Sequence, residues 1–214
     1  MNSVAFTLEE IKNDILTLDV SAVYKKYFLS DDNWYFENIL SASLGCDSVA
    51  EVAKKFNSVI SNGFGISFQD IIMVGSGRLG YSLTPTKNNT DAKLFKSFCV
   101  NGKERKMSDI DIALISETLF NRFWHLLRTS YRAKYSAQYN YIPRAIYRGY
   151  ISENHLQEID GCRKEWRMIS FTSKKVLHEN LFIQHDINYR LYRNWFDFED
   201  YHIQALKTIK RGVS

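Results

Sequence analysis

The chain predicts an α/β fold of the α+β kind: a mixed sheet with flanking helices, a helical N-terminal annex and a C-terminal helix. Three observations carry that expectation. The apolar run Ile71-Ile72-Met73-Val74 ends in Gly75-Ser76-Gly77-Arg78-Leu79-Gly80, which reads as a buried strand delivering its chain into a tight loop. The stretch Ser108-Asp109-Ile110-Asp111-Ile112-Ala113-Leu114-Ile115 reads as a second strand, on which residues i and i+2 share a face, so Asp109 and Asp111 stand side by side. Around these two, apolar residues recur at three- and four-residue spacing, the mark of helices that cover a sheet.

Composition sets the bounds. With 214 residues, 45% of them hydrophobic, the chain has the length for residues 1–67 as a helical annex and 68–214 as a core with a C-terminal helical extension. No apolar run approaches the roughly 18 residues of a membrane span. Met1-Asn2-Ser3-Val4-Ala5-Phe6 lacks the basic start and long apolar centre of a signal peptide, so a cytoplasmic protein with no membrane partner is expected. Cys46, Cys99 and Cys162 are widely spaced and form no Cys-x-x-Cys, which points to free thiols. The net charge of +4 is uneven: residues 1–70 carry 5 Lys and 10 Asp/Glu (−5), residues 71–214 carry 23 Lys/Arg and 14 Asp/Glu (+9). A basic remainder around an acidic pair suits a phosphate-rich substrate, and it equally describes a solvated surface.

In chain order, Thr7-Leu8-Glu9-Glu10 is a capping-box pattern that predicts a first helix to about Leu18. Val20, Val23, Tyr24, Tyr27 and Phe28 continue an apolar stripe, and after Ser30-Asp31-Asp32 a further helix carries Trp34, Tyr35, Ile39 and Leu40. Asp47-Ser48 opens a helix through Val52, Phe56 and Ile60 that is expected to end at Gly63. After the strand Asp70 to Val74 comes a short helix or turn, stopped by Pro85. Residues 84–107 are expected to hold a short strand at Leu94 to Val100 that turns at Asn101-Gly102 into the acidic strand as an inserted hairpin. Leu119, Phe120, Phe123, Trp124, Leu127 and Tyr131 predict a long amphipathic helix. Pro143 suits the first turn of a helix through about His155, Gly161 marks a break, and Ser173 to Glu179 forms another helical piece. Phe182 to Trp195 alternates with period two and reads as a strand, after which Asp197 caps a last helix carrying Tyr201, Ile203, Leu206 and Ile209.

The glycine run matches the G-x-G-x-x-G of dinucleotide folds, yet Pro85 and Asn88-Asn89 interrupt the long helix such a fold needs. No Gly-Lys-Ser/Thr closes the loop, so it is not a P-loop. Ser76 lacks a nearby His/Asp constellation, which argues against acyl transfer, and the five histidines show no metal spacing. What remains is a phosphate-sized glycine turn followed by two adjacent carboxylates, hard oxygen ligands suited to Mg²⁺.

A Gly-Ser turn followed by a strand bearing Asp-x-Asp resembles the DNA polymerase beta type nucleotidyltransferase superfamily, over about residues 68–130. The resemblance implies a nucleotidyltransferase-fold mixed sheet and Mg²⁺-dependent transfer of a nucleotide from a nucleoside triphosphate such as ATP to a hydroxyl acceptor. It implies that Gly75, Ser76 and Gly77 hold nucleotide phosphates, that Arg78 and Arg190 assist, and that Asp109 and Asp111 bind two Mg²⁺ that activate the acceptor oxygen and stabilise the leaving pyrophosphate. A third carboxylate is expected beside that pair, with Asp186 the first choice and Asp160 the second. The interval of 33 residues from Ser76 to Asp109 is longer than the family's short connection, and Lys103, Arg105 and Lys106 in it are candidates to contact the acceptor. Small bacterial proteins resembling this superfamily include antibiotic-modifying enzymes, toxins that modify tRNA or protein, and makers of second messengers in phage defence. An RNA, protein or small-molecule acceptor is therefore expected. The alternative is a non-catalytic binding module with the same fold, acting as an antitoxin, a regulator or a subunit of a defence complex with a partner protein.

Overall fold

A computed structural model describes residues 6–84, 94–102 and 106–213. Helices α1 (Leu8–Thr17) and α2 (Val20–Phe28) start where Thr7 and Asp19 accept hydrogen bonds from the backbone N–H groups of Glu10 and Ala22, satisfying donors that a helix start leaves orphaned. A π-helical turn, Phe36–Leu40, runs into α3 (Ser41–Leu44), and α4 (Val49–Phe64) leads to β1 (Ile71–Val74) and the one-turn α5 (Gly75–Leu79). Strand β2 (Ile110–Ile115) feeds α6 (Glu117–Thr129), and two short helices, α7 (Ser136–Tyr139) and α8 (Ile142–Tyr147), precede β3 (Tyr150–Ser152). Helices α9 (Glu153–Glu158) and α10 (Asp160–Asn180), strand β4 (Ile187–Tyr192) and helix α11 (Trp195–Val213) complete the order.

The mixed α/β class expected from the sequence is the one observed. The four strands lie in the order β1-β2-β4-β3, with β2 parallel to β4 and the other two pairs antiparallel. Side-chain alternation divides the sheet into two faces. Ile71, Met73, Ile110, Ile112, Leu114, Tyr189 and Leu191 point to one face, where α4, α6 and α10 supply Phe56, Ile60, Phe123 and Trp166. Val74, Ala113, Ile115 and Tyr192 point to the other, covered by α1, α2 and α11 through Ile11, Ile15, Tyr24, Phe198 and Leu206. At roughly 1.5–3 kcal/mol for each fully buried large apolar side chain, these two clusters are what hold the layers together. Helices from the first 64 residues thus pack on both faces of the sheet. Among the described residues no helix is long and apolar enough to cross a membrane, and Cys46, Cys99 and Cys162 are free and buried.

Several boundaries differ from the sequence expectation, each for a tertiary reason. Helix α4 runs past Gly63 and ends at Gly65, whose φ of +65° makes it the left-handed cap. Gly63 stays helical because a Cβ there would lie 1.8 Å from Ser173 Oγ on α10, so glycine lets the two helices approach. The break expected at Gly161 falls two residues earlier, at the extended Ile159 between α9 and α10; Gly161 lies in the first turn of the 21-residue α10, where a Cβ would meet Ser130 Oγ at 2.2 Å. The helix expected from Pro143 to His155 stops at Tyr147, because Gly149 (φ +77°) turns the chain into β3. The predicted strand over 182–195 is restricted to Ile187–Tyr192, and Asn194 rather than Asp197 caps α11, accepting from the Asp197 N–H at 2.9 Å. Leu94 to Val100 forms no strand and no hairpin with β2. It folds back on residues 80–82 through one bridge, Tyr81 to Ser97, and backbone bonds from Ser82 and Phe98 N–H to the Lys96 and Gly80 carbonyls. Pro85, Asn88, Asn89, Lys103 and Arg105 lie outside the described residues.

Candidate active site

Strand pairing builds the site. Val74 pairs with Asp111 across β1 and β2, so the chain leaves β1 into Gly75 directly beside the acid strand. Gly75 has φ +67°, and a Cβ there would stand 3.1 Å from Asp111 Oδ2, so the turn reaches the carboxylate only because the residue is glycine. Gly77 packs against Met73, whose Sδ would lie 3.2 Å from an added Cβ. Gly80, at φ +78°, closes α5 with its Cα hydrogens against the Trp34 ring, where a Cβ would come within 2.8 Å. Each glycine of the motif therefore answers a different local demand. With five residues, α5 is too short to develop a useful dipole.

Asp109 and Asp111 lie on one face, Asp109 exposed just ahead of β2 and Asp111 largely enclosed. Asn188 donates from Nδ2 to Asp109 Oδ2 at 2.5 Å, fixing that carboxylate across the parallel β2–β4 pairing in which Asp111 sits opposite Asn188. Burial, together with the neighbouring negative charge of Asp109, pushes the Asp111 carboxyl up to about 6, against the pull of Arg190. Arg190 is the nearby cation. Its guanidinium lies 5.2 Å from the Tyr150 ring and 5.0 Å from that of Tyr201, and Nη1 donates to Tyr201 Oη at 2.7 Å. Aromatic faces and a phenol thus hold Arg190 while leaving it beside Asp111.

Two cavities meet on Asp111 and Arg190. The smaller, about 190 Å³, is bordered by Asp109, Ser152, Asn154 and Asn188. The larger, about 270 Å³, lies beside Gly75 between α2, α5 and α11 and is mostly apolar.

Sequence reasoning placed some residues here and others not. Gly75, Asp109, Asp111 and Arg190 come together; Ser76 is half-buried in the turn and Gly77 is buried behind it. Arg78, expected to assist with phosphate, is turned away from the site. It is buried, and its Nε and Nη2 donate to the backbone carbonyls of Tyr27 and Ser30, so it serves the C-terminal end of α2. Asp186 is exposed ahead of β4 and lines neither cavity, although its carbonyl accepts from Ile110 N–H. Asp160 is in a different cavity, ion-paired with Lys134 at 2.7 Å and Arg163 at 2.9 Å. Arg193, which flanks the β4 strand and is a candidate for phosphate contact from its sequence position, is paired with Asp197 instead.

Among the described residues, no three His, Cys, Asp or Glu side chains are grouped to hold a metal ion. The carboxylate that joins Asp109 and Asp111 in the small cavity is Glu153, which sequence reasoning missed. Glu153 is already committed: Oε1 accepts from Lys174 Nζ at 2.7 Å, Gln157 Nε2 at 2.8 Å and Trp166 Nε1 at 3.0 Å, and Oε2 from Tyr189 N–H at 2.9 Å. His202 and Tyr201, in the large cavity, were also missed; their spacing from Phe198 and Leu206 reads only as the inner stripe of a helix. Comparison with known proteins adds no relative: no family, no curated protein and no solved structure matches the chain.

Proposed function

We propose that the protein is a nucleotidyltransferase that moves a nucleotide from a nucleoside triphosphate to a hydroxyl acceptor. The observation that carries this reading is the contact between Gly75 and Asp111, 36 positions apart, which joins a glycine turn to an adjacent pair of carboxylates. The donor set fits Mg²⁺. Asp109 and Asp111 are hard ligands whose shared negative charge already disfavours ionisation of Asp111, and Mg²⁺ typically takes one or two carboxylates with the rest from phosphate and water. Bound there, the ion would polarise phosphate oxygens and offset charge that develops as transfer proceeds. Two carboxylates support one such ion, and nothing among the described residues supports a second.

The chain's own residues do the remaining work. Arg190, held by Tyr150 and Tyr201, offers a fixed positive charge to the phosphates. The Gly75 turn admits the phosphate chain close to the backbone, and Asn188 keeps Asp109 oriented. In the reaction the acceptor oxygen bonds to the α-phosphorus and pyrophosphate leaves with the bridging oxygen.

A second reading is a nucleotide-binding module without turnover, acting as a regulator or antitoxin-like subunit. The commitment of Glu153 to Lys174 and Trp166, which leaves the pair without a third acid among the described residues, favours it. Incubation with each α-labelled nucleoside triphosphate, Mg²⁺ and a cell extract separates the two. Wild type is expected to transfer label to RNA, protein or a small molecule, and Asp109→Ala and Asp111→Ala are expected to lose transfer. Equal labelling by wild type and both variants would end the enzyme reading, and binding without transfer would favour the module.

A further inference from the structure

The larger cavity has a composition that phosphate transfer alone does not explain. Phe28, Val74, Leu79, Leu83, Leu206 and Ile209 give it apolar walls, and it opens onto Gly75, Asp111 and Arg190 at one end. The smaller cavity on the far side of Asp111 and Arg190 is polar. A ligand filling the site from end to end is therefore amphipathic: an anionic part at the Asp111–Arg190 junction and a body with apolar faces in the large cavity.

Thr84, Tyr201 and His202 bring polar groups into that wall, and the Tyr201 hydroxyl is already engaged by Arg190. His202 is 5% exposed, and its Nδ1 is sealed from solvent with no hydrogen-bond partner. Among the described residues neither of its ring nitrogens makes a hydrogen bond. The ring is locked in orientation by Phe28, at 4.6 Å edge-on, and Phe198, at 4.4 Å. Nδ1 is closed to the cavity as well as to solvent, so the nitrogen that a ligand in the cavity would meet is Nε2, which is not sealed. A lipid-like ligand has nothing to offer an imidazole. Burial and the nearby charge of Arg190 push the group down to about 3, so the imidazole is neutral and adds no positive charge to favour an anion over a neutral partner. Through Nε2 a neutral imidazole presents either a donor or an acceptor, according to its tautomer, and the edge of a planar heterocycle offers a complement to each.

We propose that this cavity receives the nucleobase of the bound nucleotide and that His202 reads the polar edge of the base. The proposal rests on the nucleotidyltransferase reading for its phosphate end and adds the place and the specificity residue for the base.

Calorimetric titration with ATP, GTP, CTP, UTP and inorganic triphosphate, each with Mg²⁺, tests it. Wild type is expected to bind its preferred nucleoside triphosphate roughly tenfold or more tighter than inorganic triphosphate. His202→Phe is expected to keep its affinity for inorganic triphosphate while its preference among the four bases shrinks to within about threefold, since a lost hydrogen bond is worth up to about tenfold. Ala205→Phe, which fills the same cavity from α11, is expected to reduce nucleoside triphosphates to the affinity of inorganic triphosphate, and it decides the matter if His202→Phe does not fold. Nucleoside triphosphates that bind wild type no tighter than inorganic triphosphate would overturn this inference alone. An unchanged base preference in a folded His202→Phe protein would do the same. Binding of neither ligand class by wild type would overturn the transfer reading together with it.

Discussion

Asp111 sets the fold against the function proposed for it. Its carboxyl is pushed up to about 6, first by burial and then by Asp109, so the folded protein holds that proton more tightly than the unfolded chain does. The sign follows from linkage: the cost of ionising Asp111 is absent below about pH 4, grows between pH 4 and 6, and is fully present above pH 6. Asp111→Asn removes it. In Mg²⁺-free buffer that variant is expected to be more stable than wild type by about 1–3 kcal/mol at pH 8, with the gain vanishing near pH 4. Urea unfolding at the two pH values checks it, and a gain of equal size at both would show that charge is not the cause. A residue that destabilises its own fold fits the usual trade between stability and function, here with the function proposed for Asp111. Arg78 shows the opposite case at the same scale: a residue in the motif that looks functional but caps a helix end.

At the scale of elements, the turn after β1 was legible because glycine and strand parity are local signals. What lay beyond local sequence was which glycines end helices and which let neighbours approach. Gly63 looks like a break, yet it lies inside α4, whose packing onto Ser173 outweighs glycine's low helix propensity; Gly161 does mark a break, at Ile159, and lets the first turn of α10 approach Ser130. The parallel pairing of β2 with β4 could be anticipated only as a strand pattern, since register across 77 positions leaves no mark in either segment. Glu153 was invisible as a site neighbour for the same reason: β3 brings it in from the far side of the sheet. The Gly80 cap gives a quantitative check. Gly80→Ala combines the left-handed penalty of about 1–2 kcal/mol with displacement of Trp34, an overpacking cost of roughly 1–3 kcal/mol. Gly45→Ala, at φ +58° with nothing within 4 Å, carries only the first. Denaturant midpoints for the two variants are expected to differ by the packing cost, and equal midpoints would show that Trp34 yields freely.

At the scale of the whole molecule, the N-terminal helices are part of the core that the sheet needs. Ile11, Ile15, Val23 and Tyr24 share one cluster with Val74, Ala113 and Ile115, so removing α1 and α2 uncovers the face beside the candidate site. A chain lacking residues 1–32 is expected to aggregate or to bind the apolar dye ANS, whereas a soluble monomer with cooperative unfolding would show the annex to be dispensable. Topology also sets a timetable. The central strand pair joins residues 110–115 to 187–192, and the cavity wall is finished by α11, which follows that strand. Long-range parallel pairing is slow to nucleate, because loop closure must come before the contacts that reward it. On the ribosome, Asp111 emerges 79 residues ahead of Arg190 and further still ahead of His202. The acidic pair of the candidate site therefore waits, without its cation, until β4 and α11 have followed it out.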